Sequence, residues 1–144
     1  MDEQTLIAFM NSNKLAVLST LSAHGWPQSA VVGFSAHKGC VLVMGTSSLS
    51  RKFHNLERDP HVSVVVGWDQ GKTVQFEGIA RILSKEEEGQ WTEQHYKIRP
   101  EALKYNSDPN ERHFIVRPTW IRYTDLTKSP WEIHEKHFPE LQEA

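Results

Sequence analysis

The chain has 144 residues, of which 38% are hydrophobic and 24% charged, with a formal net charge of −2. That length suits one domain with a real core, no apolar run approaches the roughly 20 residues that a membrane-spanning helix needs, and the charge balance argues against a general nucleic-acid binder. The single cysteine, Cys40, rules out an internal disulfide and favours a reducing compartment, with the cytoplasm as the expectation; the acidic start Met1-Asp2-Glu3-Gln4 does not read as a signal peptide.

In chain order, Asp2 to Ser12 reads as a short helix with Leu6, Phe9 and Met10 on one face. Leu15–Leu21 reads as a strand, Ser22-Ala23-His24-Gly25 as a turn, and Ser29–Phe34 as a second strand. His37-Lys38-Gly39 turns the chain into a third strand, Cys40–Met44. Leu49, Phe53 and Leu56 then recur at helical spacing until Asp59-Pro60 ends the pattern. Val62–Val66 is a β-branched buried strand, Asp69-Gln70-Gly71-Lys72 a hairpin turn, and Thr73–Leu83 a long strand.

Ser84-Lys85-Glu86-Glu87 is a capping-box pattern that opens a helix to about Lys97. The segment from Arg99 to Glu111 is polar and irregular. Phe114–Tyr123 reads as a strand that Pro118 bulges or confines to an edge. Ser129-Pro130-Trp131-Glu132 repeats the cap logic and predicts a short C-terminal helix. The sum is one α+β, mainly β domain over residues 1–144: a small antiparallel barrel with peripheral helices, its core at about 6–123 and a helical tail at 124–144.

Charge is unevenly placed. Between Gln4 and Leu56 the chain has no Asp or Glu, while Lys14, Lys38, Arg51 and Lys52 lie inside that stretch. At its end stands Gly45-Thr46-Ser47-Ser48-Leu49-Ser50-Arg51-Lys52, small hydroxyl residues followed by two cations at a strand-to-helix junction. Free N–H groups and the positive end of the helix dipole converge on such a first turn. Hydroxyls add donors and arginine binds phosphate with two parallel bonds, so the junction can seat a phosphate. The alternative is a capped surface helix whose Arg51 and Lys52 only form salt bridges.

Three stretches in order bear a family likeness: Leu15–Thr20 with Pro27–Val32; Thr46, Ser50-Arg51-Lys52, Asn55-Leu56, Asp59-Pro60, Val62 and Val64; and Thr73-Val74-Gln75-Phe76-Glu77-Gly78 with Ala80. Together they resemble the pyridoxamine 5′-phosphate oxidase-like, FMN-binding split-barrel family over about Leu6–Leu83, and more loosely over Trp120-Ile121-Arg122. The resemblance implies a six-stranded antiparallel split barrel, a homodimer with FMN at its interface, and oxidoreductase chemistry by hydride transfer between the flavin and a small substrate or nicotinamide. It implies that Ser50, Arg51 and Lys52 hold the phosphate. It places Ser29, Ala30, Val31 and Val32 along the isoalloxazine ring, Gly45 and Thr46 against the flavin, and Thr73 and Gln75 at the ring edge. Trp120 and Arg122 then reach the flavin of the partner subunit.

Arg99-Pro100 echoes one piece of the family's vitamin B6 phosphate pattern, but the segment that should follow is missing, which argues against that substrate. The resemblance assigns the hydride chemistry to the flavin, and no Gly-x-Ser-x-Gly elbow or Gly-x-Gly-x-x-Gly fingerprint occurs beside it. Rival readings are a flavin- or haem-binding module without turnover, for storage, sensing or stress response, and a reductase using the deazaflavin F420. His134 and His137, one turn apart on the expected last helix, are candidates for a metal or haem site; a solvated helix face is the favoured reading, and no zinc pattern completes them. The five tryptophans read as core or dimer-interface residues, with Trp120 and Trp131 the candidates for stacking on a flavin or substrate. Cys40 reads as a buried, inert thiol.

Overall fold

Residues 1–139 are described by the structure, a computed structural model. The elements run α1 (Glu3–Asn11), β1 (Leu15–Leu21), β2 (Pro27–His37), β3 (Val41–Ser47), α2 (Arg51–Arg58), β4 (His61–Val66), β5 (Lys72–Ile82), α3 (Lys85–Ile98), β6 (Glu111–Asp125) and β7 (Glu132–His137), with short 3-10 turns at Lys38–Cys40 and Pro100–Tyr105. All strands pair antiparallel in the order β3-β2-β1-β4-β5-β6-β7, and β3 also pairs with β6, so β1 to β6 close into a six-stranded barrel. Closure pairs Leu42–Ser47 with Glu111–Val116 and covers those parts of the two sheet edges; β7 lies outside the ring, on β6.

Alternation along the strands builds the core. Leu18, Phe34, Met44, Val64, Phe76, Phe114 and Ile121 point inward and are all but fully buried. Leu6 and Met10 of α1 plug one part of this cluster. Val41, Val43, Leu83 and Ile115 form a second, outer cluster against Trp91 of α3. Arg99, at the end of α3, ties these layers together: it donates to the carbonyls of Phe34 at 2.7 Å, Asn11 at 3.0 Å and Asn13 at 2.6 Å. A guanidinium committed in this way is a staple of the fold, not a substrate contact.

The helix starts follow their sequence signals. Asp2, Ser50 and Ser84 each cap a first turn through a side-chain oxygen, and Ser84 with Glu87 forms the full capping box. The expected irregularity at Pro118 is a β-bulge: Glu77 faces Trp120 but Gly78 faces Pro118, which leaves Thr119 unmatched. A Cβ on Gly78 would stand 2.5 Å from the Arg117 carbonyl oxygen, so the bulge demands glycine.

The C-terminal helix is the main correction. Glu132–His137 is a strand, paired with β6 from Trp120↔His137 to Asp125↔Glu132. A segment that short has little helix stability of its own, and the exposed edge of β6 offers a full ladder of hydrogen bonds instead. His134 and His137 therefore point to opposite faces and cannot ligate one ion together; His134 sits 3.4 Å from the Met1 amine. The rest of the expected tail, 140–144, lies outside the described residues. Trp26, Trp68 and Trp131 are 73%, 53% and 61% exposed, so the core does not use them.

Candidate functional site

The barrel is split along one seam. β2 pairs with β1 over its first seven residues, Pro27 to Gly33, but with β3 only from Phe34 to His37. β3 in turn pairs with β6 through Ser47, yet loses β2 beyond Met44. The two strands thus part beyond the Phe34↔Met44 pair. Residues 27–33 and 45–47 each keep one side free of strand partners and form the lips of a gap.

Helix α2 bridges that gap. It leaves β3 at Ser47, and its buried Asn55 donates to Thr20 Oγ1 and Gln28 Oε1, each at 2.9 Å. Arg58 adds a bond to the Leu21 carbonyl at 3.1 Å. These contacts fasten the helix to the far end of the β1–β2 hairpin. At its start, Ser50 Oγ accepts from Phe53 N at 3.2 Å and lies 3.0 Å from Thr46 Oγ1. The first turn is therefore rigidly placed beside the split.

Its electrostatics are one-sided. Arg51 is exposed and Lys52 half-buried. Neither stands within ion-pair distance of a carboxylate among the described residues, unlike Arg81, Arg122 and Lys128. Within the described residues of one protomer, Arg51 and Lys52 therefore form no salt bridge of the kind that the rival reading requires. Glu111, opposite Ser47, is the acid within electrostatic reach of Lys52. Burial first, then Asp108 and Glu88, push its carboxyl up to about 7, with Lys52 pulling the other way. A carboxyl raised in this way opposes the lysine less than a fully ionised one does.

A third cation, Arg112, lies beneath the turn. It faces Thr46 across the β3–β6 ladder, and its Cζ stands 5.5 Å from the Phe53 ring centroid. Its Nε is buried without a hydrogen-bond partner among the described residues. Hydroxyls, free cations and an orphaned buried donor together fit a phosphate group. No local motif marks Arg112; the strand register that sets it opposite Thr46 is the signal that a linear reading lacks.

The residues expected around a ligand fall into two groups. Ser29, Ala30, Val31, Val32, Gly45, Thr46, Ser50, Arg51 and Lys52 gather at the split and its helix. Val32 points into the core at 6% exposure, so only its backbone is available. Thr73, Gln75, Trp120 and Arg122 are elsewhere, on the outer face of β5 and β6. Cross-strand pairing sets Val31, Val17, Val65, Gln75, Arg122 and Glu135 in one row, with β1 and β4 between Val31 and Gln75. One protomer does not bring the two groups together. Arg122 is bound to Glu135 at 2.8 Å.

That outer face is bare. Val31, Leu15 and Ile133 are 61%, 48% and 46% exposed. A groove of about 1350 Å³ crosses it between Ser19, Ser63, Glu77, Arg117 and Thr119. The groove does not include the Ser50–Lys52 turn. Cys40 is buried with its thiol pushed up to about 11, chiefly by desolvation, which makes it inert as expected.

A closed six-stranded barrel split between two strands and bridged by a basic helix start defines the molecule as a split-barrel protein. The chain belongs to the pyridoxamine 5′-phosphate oxidase family, whose model matches residues 3–125. No curated protein matches it by sequence. Among solved structures, a heme binding protein from Mycobacterium smegmatis superposes with a TM-score of 0.75 at 19% identity, over 91% of this chain. The match takes in 55% of that protein's chain, so this chain spans about half its length. A pyridoxamine 5′-phosphate oxidase-related, FMN binding protein from Nostoc punctiforme has a TM-score of 0.77 at 13% identity, over 98% of this chain and 93% of its own. General Stress Protein 26 from Bacillus anthracis has 0.71 at 24% identity, over 92% and 97%. At these identities the likeness is one of fold. Among the described residues no helix is long and apolar enough to cross a membrane.

Proposed function

We propose that the protein is an FMN-dependent oxidoreductase that works as a homodimer. The observation that carries this reading is the pair Arg51 and Lys52, free of carboxylate partners among the described residues, on a capped first turn beside the split. Ser50 and the two cations hold the phosphate, and the free backbone of residues 29–32 and 45–46 orients the ring. When bound, the flavin supplies the hydride chemistry with a small organic substrate or a reduced nicotinamide. The chain's own tasks are to bind, to orient and to exclude water.

A second copy completes the site. Gln75, Trp120 and Arg122 reach a ligand at the split only from a partner, because β1 and β4 separate them from it within one protomer. The bare apolar row through Val31, Val17 and Val65 is the surface that such a partner covers. For haem, the two histidines that drew notice in the sequence face opposite ways and offer no joint site.

Extraction of the purified protein followed by mass spectrometry tests the cofactor: FMN supports the proposal, whereas haem or deazaflavin F420 overturns it. If the protein purifies empty, added FMN must raise its melting temperature, because a ligand bound only by the folded state stabilises it. Stopped-flow reduction with nicotinamide donors and a panel of small reductants then tests catalysis. A flavin that no donor reduces identifies a non-catalytic module.

A further inference from the structure

We infer that Arg112 makes the seat selective for a phosphorylated ligand, acting as a positioning residue beneath the first turn of α2. This rests on the phosphate reading of that seat. Arg112 and Thr46 are paired across β3 and β6, so their side chains leave the same face of the ladder. Thr46 Oγ1 is 3.0 Å from Ser50 Oγ, and Ser50 caps the turn that carries Arg51 and Lys52. Arg112 therefore adds its charge from the barrel side of the turn.

Its surroundings are unusual for an arginine with a purely structural role. The guanidinium lies 5.5 Å from the Phe53 ring centroid, and Nη2 donates to the Leu83 carbonyl at 3.2 Å. Nε is buried with no hydrogen-bond partner among the described residues. No carboxylate pairs with it among the described residues. The neighbouring acid, Glu111, projects to the opposite face, where its Oε2 would stand 2.7 Å from a Cβ on Gly45. Strand alternation thus keeps the acid away from the cation. A half-buried positive charge without a counter-ion favours an anion nearby more strongly than a solvated one does. Arg99 shows the contrast, with its donors committed to three carbonyls of the fold.

The test is the ratio of FMN to riboflavin affinity, since the two ligands differ by the phosphate alone. The wild type should favour FMN. Arg112→Gln should reduce that ratio about tenfold and leave riboflavin binding unchanged, whereas Arg112→Lys should keep most of it. If Arg112→Gln retains the full ratio, the inference is overturned while the seat on Arg51 and Lys52 stands. A wild type without preference for FMN overturns both. Should Arg112→Gln fail to fold, the wild type decides by NMR. The buried Arg112 Nε–H signal should shift with saturating inorganic phosphate and not with riboflavin; an unmoved signal sinks the idea.

Discussion

The hydroxyl of Thr46, at the end of β3, lies 3.0 Å from that of Ser50, the cap of α2. This short bridge joins the barrel wall to the helix start and fixes where the cationic turn points. Ser50→Ala breaks the bridge and the cap to Phe53 N together. The expected loss is about 1 kcal/mol of stability, read as a lower urea midpoint at unchanged m-value. FMN affinity should fall as well, because the turn is no longer held against the split.

Arg51→Gln with Lys52→Gln should leave stability almost unchanged, since neither cation is ion-paired among the described residues. Ligand binding should suffer far more. Charge-assisted bonds contribute about 1.5–3 kcal/mol each, so losing two weakens FMN at least about a hundredfold. Equilibrium titration by flavin fluorescence measures it. Unchanged affinity in the double variant refutes the placement of the phosphate.

The pH dependence of stability should report a buried histidine and a half-buried carboxyl of opposite sign. His95 is held down from 6.5 to about 4, mainly by desolvation, and its Nδ1 lies 2.6 Å from Ser35 Oγ. It stays neutral in the fold while the unfolded chain takes a proton, so its contribution is present above 6.5 and lost as pH falls towards 4. His37 and His113, also held down chiefly by burial, act in the same direction. Glu111 is raised from 4.5 to about 7. Its contribution is present below 4.5 and lost as pH rises through 7. Between 4.5 and 6.5 the two slopes oppose each other. In Glu111→Gln, stability should therefore climb more steeply with pH over that window; in His95→Gln it should climb less or fall. Urea midpoints at intervals of half a pH unit check both.

Val31→Asp places a charge at the split end of the bare row on the outer face. Val31 is 61% exposed in the protomer, so the monomer tolerates the change. The proposed dimer does not, because an unpaired charge would be desolvated in its interface. Sedimentation velocity should show a dimer for the wild type and a monomer for the variant, with the same far-ultraviolet circular dichroism. A wild type that sediments as a monomer refutes the dimer.

Much of this molecule was legible residue by residue. Leu15–Leu21 matches β1 end to end, and Ser50 and Ser84 mark where two helices begin, because caps and period-two alternation act within a few residues. β2 runs to His37, three residues beyond its expected end, because its last four residues pair with β3. The error at Glu132–His137 has a similar origin: Ser-Pro-x-Glu is a sound helix start, but the open edge of β6 outweighs a short helix.

What the sequence determined alone is the set of local elements and the basic hydroxyl turn at Ser50-Arg51-Lys52, since both depend on neighbours in the chain. Only the tertiary structure decided the split between β2 and β3, the docking of Asn55 on Gln28, the place of Arg112 under Thr46, and the separation of Gln75 and Arg122 from the seat. These depend on strand register, which pairs residues far apart in the chain, and a shift of one residue would turn every side chain of a strand to its other face.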